Sequence, residues 1–411
     1  MTEIVKCRVC KSNQLRHVLS LGEQALTGVF PMPGETVPSG PLDLVWCQKC
    51  TLLQLKQSYS PSEMYGANYG YRSGLNASMV KHLREKANSL AWAAHLQPGH
   101  VVLDIGSNDG TFLNAFPNSL ARIGMDPTIE KFKQYYDKEI ITVPSFFSTN
   151  TAFFADRYKP KLVTSIAMFY DLEDPIAFAR DVASVLADDG LWHFEQHYMP
   201  SMLRTGAYDA ICHEHLEFYS LGVIRHILEV ADMRIVDVSM NAVNGGSIAV
   251  TACKNNQENL TRRYAANEAV VEWLIAQEQR TDLDTLRPYL EFENHVRKHR
   301  DDLRGLVGFL VQDGNRISCY GASTKGNVLL QYCGLSADII GRVYEVNEDK
   351  FGRVTPGTNI PIVPEAQLMK DMPDYLLVLP WHFKTGIFEK LTEYRAAGGR
   401  VIFPLPEIEV L

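Results

Sequence analysis

Residues 101–110 read VVLDIGSNDG. Val101, Val102, Leu103 and Ile105 form a short apolar run of the kind shown by a parallel strand covered on both faces. Gly106 and Gly110 follow, and glycine lets the chain turn tightly and bring its backbone close to a ligand. The pattern predicts a strand, a glycine turn and a helix from Thr111, the unit that opens a doubly wound α/β sheet and places ligands beyond the strand's carboxyl end. Further strands are expected over 121–125, 140–143, 161–167 and 191–197. Helices are expected over 128–137 and from Pro175 to the Asp188-Asp189-Gly190 stop, the alternation of a parallel α/β sheet.

The glycine turn lacks G-x-G-x-x-G, the dinucleotide fingerprint. Asp104 and Asp109 would set negative charge against a pyrophosphate. S-adenosylmethionine (SAM) has no phosphate and carries a sulfonium and an ammonium, so an acidic glycine loop suits it. Asp126 closes the second strand about 20 residues further on, where an acid that holds ribose hydroxyls belongs. The pattern resembles class I SAM-dependent methyltransferases. That resemblance makes Asp104, Gly106, Asn108, Gly110 and Asp126 the cofactor residues. Ser145 and Phe146 belong to a turn that touches adenine in such enzymes, and Met168 lies at a strand end beside the cofactor.

At 411 residues the chain is long for one core, so two or three domains are expected. A net charge of −8 argues against a general nucleic-acid binder. No apolar run reaches the ~18 residues of a membrane span, and MTEIVKCRVCK has no signal-peptide h-region. A cytoplasmic protein, monomeric or weakly homo-oligomeric, is expected. Its eight cysteines are then thiols or metal ligands. Cys7 and Cys10 form one C-x-x-C and Cys47 and Cys50 another. Two such pairs in a short segment with little core of its own read as a closed, structural zinc site of four thiolates.

Residues 64–79, MYGANYGYRSGLNASM, mix Tyr69, Tyr71 and Arg72 with glycines, which suits a binding loop. A helix follows, with Met79, Leu83, Ala87 and Leu90 on one face. After the fifth strand comes YDAICHEHLEFYS, residues 208–220, with His213, Glu214 and His215 consecutive. It is not H-E-x-x-H, and a His/Glu cluster at the cofactor edge of a sheet fits general acid–base work. Asn244-Gly245-Gly246-Ser247 forms a turn before a strand over 248–253. Residues 255–312 are charged and helical, with Pro288 a kink or break. Ile317–Tyr320 then leads into GASTKGN, where Lys325 and a helix N-terminus suit a phosphate.

The order DIGSNDG, HEHLEFYSL, NGGS, GASTKGN, PGTNIPI and LPWHF, behind a four-cysteine segment, resembles the three-domain nucleotide-sugar C-methyltransferases that act on keto-deoxysugars. The resemblance covers essentially the whole chain. It implies an α/β protein with a zinc-binding and substrate-loop domain over 1–72, a SAM domain over 73–254 and a Rossmann-like domain with a helical linker over 255–411. It implies that His215 removes a proton next to a ketone, with Glu214 beside it and Tyr71 or His213 stabilising the enolate oxygen. Tyr69, Arg72, Cys212, Asn244 and Lys325 become the substrate residues. The family's usual Tyr two residues before the Glu is Cys212 here, and its usual Arg after GGS-x is Ala249. Both departures bear on the substrate and on C- versus O-methylation. The competing readings are an O-methyltransferase using the same base, a regulatory binder of SAM or a sugar nucleotide, and a zinc-ribbon nucleic-acid modifier.

Overall fold

The computed structural model describes residues 1–60, 64–65, 71–147, 158–257 and 265–411. Three antiparallel strands, β1 (Leu15–Ala25), β2 (Ser39–Cys47) and β3 (Leu53–Leu55), build the N-terminal unit. Their apolar side chains share one core with the C-terminal domain, while the cysteine segment packs with the central sheet. The N-terminal unit is therefore wedged between the other two.

The helix α1 (Ala77–Ala93) starts where Asn76 accepts from the Ser78 and Met79 amides, and it buries Met79, Leu83, Ala87 and Leu90. The central sheet then follows the expected alternation. Strands β4 (Val101–Ile105), β5 (Ala121–Met125), β6 (Ile141–Val143) and β7 (Leu162–Ile166) run parallel with β8 (Leu191–His197). Helix α2 (Pro175–Val185) is capped by Asp174, which accepts from the Ala177 amide, with Pro175 in its first turn.

Two differences from the sequence reading have physical causes. No α-helix follows the glycine turn; a single 3₁₀ turn spans Leu113–Ala115. Pro117 holds Phe116 in extended backbone and stops it. The expected helix over 128–137 shrinks to Ile129–Phe132 and a following 3₁₀ turn.

After β8 come α3 (Met199–Thr205), the two-residue strand β9 (Glu217–Phe218), α4 (Leu221–Val230), β10 (Met233–Asn241) and β11 (Ser247–Lys254). The last two run antiparallel and complete a seven-stranded sheet of order β10-β11-β8-β7-β4-β5-β6. Strand β9 leaves that sheet. It pairs with β3, Glu217 opposite Gln54 and Phe218 opposite Leu53, and becomes the fourth strand of the N-terminal sheet.

Two helices, α5 (Ala265–Arg280) and α6 (Arg287–Gln312), lead to the C-terminal domain. Pro288 neither kinks nor breaks a helix; it lies in the first turn of α6, where its missing N–H costs nothing. Strand β12 (Ile317–Tyr320), α7 (Thr324–Cys333), β13 (Ile340–Glu345), β14 (Ile362–Pro364), β15 (Tyr375–Val378), β16 (Arg400–Phe403) and β17 (Glu409–Val410) follow. They form a sheet of order β14-β13-β12-β15-β16-β17, parallel except at its last pair. No helix among the described residues is long and apolar enough to cross a membrane.

Arg8 ties the cysteine segment to the N-terminal sheet. It is 3% exposed and donates to the Leu55 and Gln57 carbonyls and the Ser58 hydroxyl. Replacing it with Met keeps an unbranched apolar stem and removes the donors. Arg8→Met is expected to destabilise the protein by about 3 kcal/mol, because buried acceptors lose their partner. Chemical denaturation of wild type and variant measures it, and equal midpoints would show that the arginine is not a strut.

Candidate active site

The four cysteines converge as their spacing predicts. Cys7 and Cys50 sulfurs lie 3.5 Å apart, as do those of Cys10 and Cys47, and all four fall within 4.8 Å of one another. A tetrahedral site with zinc–sulfur bonds of ~2.3 Å has edges of roughly 3.8 Å, so the set fits zinc. Each pair sits on a matching turn. Lys11 and Thr51, both in the left-handed region, donate their amides back to the Cys7 and Cys47 carbonyls. The Cys7 thiol is pushed down to about 5 by its hydrogen bond with Cys50, whose own thiol is pushed up. One thiol of the four is thus drawn toward the thiolate form that a metal ligand takes.

A cavity of about 590 Å³ lies beyond the carboxyl ends of β4, β5, β7 and β8, and all three domains line it. At one end is the glycine loop. Gly106 has φ +77°, and a Cβ there would meet Met168 Cγ at 2.9 Å, so the loop is cradled against the strand end that carries Met168. Asp126 Oδ1 accepts from the Thr128 amide at 2.7 Å and its hydroxyl at 2.6 Å, and Oδ2 accepts from the Asn108 amide at 2.9 Å. A carboxylate oxygen has two lone-pair sites, so Oδ2 keeps capacity for a ligand hydroxyl. Asp104 accepts from Thr164 Oγ1 at 2.6 Å, and burial raises its carboxyl to about 7 against that hydrogen bond. Ser145 and Phe146 line the same end. A glycine cradle with these two carboxylates fits a cationic nucleoside. Gly110 does not reach the cavity; its φ of +76° lets the loop pass Tyr136, which a Cβ would meet at 2.7 Å.

The loop before α1 is tied to the glycine turn. Asn108 accepts from the Ser73 amide at 3.0 Å and donates to the Tyr71 carbonyl at 3.3 Å, while Asp109 accepts from the Gly74 amide at 2.9 Å. Tyr71 thereby lines the cavity. Arg72 does not: it stacks on Tyr135, 4.0 Å from the ring centre. Tyr69 lies outside the described residues.

At the centre is the His/Glu segment. The Leu55 amide donates to the Leu216 carbonyl at 2.8 Å, next to the β3–β9 pairing, which fixes His215 from its C-terminal side. His215 Nδ1 lies 2.7 Å from the Ala210 carbonyl, so Nδ1 carries the proton and Nε2 is free to accept one. Its ring stands edge-on to Tyr170, centroids 4.3 Å apart. Burial pulls its pKa down to about 4, against the Ala210 hydrogen bond and with a further push from Lys325. Burial raises Glu214 to about 7. Ligand atoms of Cys212, Glu214 and His215 lie within 4.8 Å of one another. Gly28 leaves the space for Glu214: a Cβ there would stand 2.2 Å from Oε1.

His213 is not brought to the cavity. It lies edge-on to Tyr59, 4.7 Å between centroids, with Nε2 3.3 Å from the Gly40 carbonyl. His213 and Glu214 form the corner of a turn closed by the His215 amide, which donates to the Cys212 carbonyl at 3.2 Å, and the two side chains diverge there.

At the far end, Lys325 donates to the Asn244 carbonyl at 2.8 Å, and both residues line the cavity. The NGGS turn is thus also a domain joint: Gly245 lies against Trp381, whose indole donates to Asp209 at 2.7 Å. Lys350 reaches the cavity too, donating to the Ala322 carbonyl at 2.8 Å over the Phe30 ring, as does His382. The sequence reading missed Gln196, Asp171, Lys350 and His382. Asp171 and His382 fall just past strand ends, where a reader could have found them; Lys350 sits in a loop with no local signal.

A family model described as a C-methyltransferase C-terminal domain matches residues 242–406, a methyltransferase domain matches 77–238, and a zinc binding domain matches 7–65. The chain is 32% identical to C-methyltransferase NovU of Streptomyces niveus, covering 99% of this chain and 97% of that protein. The chain belongs to the C-methyltransferase family. It is a SAM-dependent methyltransferase with a zinc-binding N-terminal domain. Solved structures of similar fold include a SAM-dependent methyltransferase from Clostridium acetobutylicum, at 13% identity and TM-score 0.35 over 43% of this chain and 92% of that one. Another is magnesium protoporphyrin IX methyltransferase from Synechocystis, at 15% identity and TM-score 0.35 over 46% of this chain and 90% of that one.

Two outcomes follow. Cys47→Ser is expected to yield protein without stoichiometric zinc and with lost methyl transfer, because Cys47 ends β2 and the next strand, β3, carries the base segment. Metal analysis and turnover of the same preparation check it; full turnover without zinc would uncouple the two. Asp126→Ala is expected to weaken SAM binding roughly ten- to a hundredfold, the worth of a charge-assisted hydrogen bond of ~1.5–3 kcal/mol. Calorimetry showing wild-type affinity would put the ribose elsewhere.

Proposed function

We propose that this methyltransferase places a methyl group on carbon, next to the ketone of a nucleotide-linked 4-keto-deoxysugar, with His215 as the base. The observation that carries the reading is the 2.7 Å contact from His215 Nδ1 to the Ala210 carbonyl, which leaves Nε2 as a proton acceptor in the cavity. The resemblance to keto-deoxysugar enzymes supplies the substrate class.

His215 is neutral at pH 7, so it is ready to take a proton. Its low basicity means that the carbon acid must be strengthened through donors to the ketone oxygen, and Tyr71, unlike His213, lines the cavity. Nε2 takes the proton, and the C–H electron pair becomes the enolate. SAM, when bound, supplies an electrophilic methyl whose sulfur leaves with the bonding pair. The chain's task is to hold carbon and methyl in line and keep water out. Lys325 and Lys350, with the α7 N-terminus, suit the nucleotide's diphosphate. Lys325 also lowers the His215 pKa. A diphosphate beside Lys325 offsets that charge, so substrate binding itself makes the base stronger. Glu214, half-ionised near neutrality, is placed to accept from a sugar hydroxyl. An O-methyl product from the same base is the second reading, favoured by Cys212 standing where the resemblance places a tyrosine.

His215→Asn is expected to cut methyl transfer to thymidine-diphospho-4-keto-6-deoxyglucose by ~10²–10⁴-fold, the usual loss of a general base. S-adenosylhomocysteine affinity should stay near wild type. Product NMR decides between a methyl on carbon and a methoxy group. Wild-type turnover in the variant would remove His215 from the chemistry.

A further inference from the structure

Gln196 is 1% exposed, lines the cavity at the carboxyl end of β8, and has no hydrogen-bond partner among the described residues for either Oε1 or Nε2. A primary amide offers two donors and two acceptor sites. Buried polar groups are paired as a rule, and an exception calls for a reason such as a ligand.

The neighbouring Glu195 shows the contrast. It points to the other face of the strand and is fully engaged, with His82 at 2.7 Å, Lys86 at 2.8 Å and Asn241 at 2.7 Å. Trp192 and Phe194, on the face of Gln196, pack on Phe169 at 5.2 and 5.1 Å. The residue after Phe169 is Tyr170, which touches His215. The cofactor carboxylates Asp104 and Asp126 stand on β4 and β5 or just past them. Strand β7 lies between β8 and β4, a separation of about 10 Å at two strand spacings. Gln196 therefore belongs to the substrate half of the chamber, on the side of the base.

We propose that Gln196 is a specificity-determining residue. Its Nε2 donates to the ketone oxygen of the substrate, and its Oε1 accepts from the hydroxyl on the adjoining ring carbon. The identity of the ligand rests on the keto-sugar reading above; the amide's role as a ligand-binding group does not.

The test is Gln196→Met, which keeps length and removes both polar atoms, in the full zinc-loaded chain. S-adenosylhomocysteine affinity by calorimetry should stay within about twofold of wild type, and kcat/KM for thymidine-diphospho-4-keto-6-deoxyglucose should fall about a hundredfold, because a site built around a hydrogen bond loses it. A probe lacking the adjoining hydroxyl should be penalised by wild type and not by the variant. The ligand-free variant should melt at or above the wild-type midpoint, since it no longer buries an unpaired amide. A midpoint several degrees lower with turnover retained would make the amide a structural group and overturn the proposal. A fall in S-adenosylhomocysteine affinity in step with turnover would move it to the cofactor half and overturn it as well. If wild type leaves the keto-sugar untouched, the substrate reading fails on its own. The melting comparison then decides the amide's role, a rise supporting it and a fall overturning it.

Discussion

The pairing of β9 with β3 is the constraint on which the chamber depends. Between α3 and α4 the segment that carries His215 has only a 3₁₀ turn and this two-residue strand. Fixing such a stretch costs roughly 1–2 kcal/mol of backbone entropy per residue, and nothing local offsets it. The N-terminal sheet does so by taking Glu217 and Phe218 as its edge. That sheet is in turn held at the β2–β3 turn by the Cys47–Cys50 pair. In the proposed mechanism the metal site therefore acts without touching the cavity: it fixes the hairpin that fixes the segment that carries the imidazole. The 2.7 Å bond to Ala210 then sets which nitrogen faces the substrate.

Charge is graded along the cavity. Carboxylates hold the glycine-loop end, ammonium groups hold the C-terminal-domain end, and His215 and Glu214 lie between, displaced toward their neutral forms by burial. In the proposed mechanism the cationic methyl donor is attracted to the first end and an anionic nucleotide to the second. In that mechanism a weakly charged middle is where a developing enolate gains most from a few aligned donors.

Much of this was legible in the sequence because the signals are local. A buried strand run, a glycine turn and a C-x-x-C pair each carry their meaning within a few residues. The strands 101–105, 121–125 and 191–197 match their structural bounds for that reason. The three-part architecture was legible too, through ordered motifs. What failed was set by contacts distant in sequence. His213, Glu214 and His215 look equivalent in a string, yet the turn that holds them sets the first against Tyr59 and leaves the other two on the chamber. Arg72 was taken by Tyr135 and Gly110 by Tyr136, neither visible as a partner. Gln196 looked like any polar residue in a strand, because its significance is the absence of a protein partner, which only packing reveals.

In the proposed mechanism proton removal from carbon precedes methyl transfer and is separable from it. The direct measurement is solvent exchange at the carbon next to the ketone. Wild-type protein is incubated in D₂O with thymidine-diphospho-4-keto-6-deoxyglucose and S-adenosylhomocysteine, which fills the cofactor end and has no methyl to give. Enzyme-dependent deuterium is expected at that single position, lost in His215→Asn. Methylation of the same sugar with SAM, unaccompanied by any exchange under these conditions and yielding a methoxy product, would contradict it.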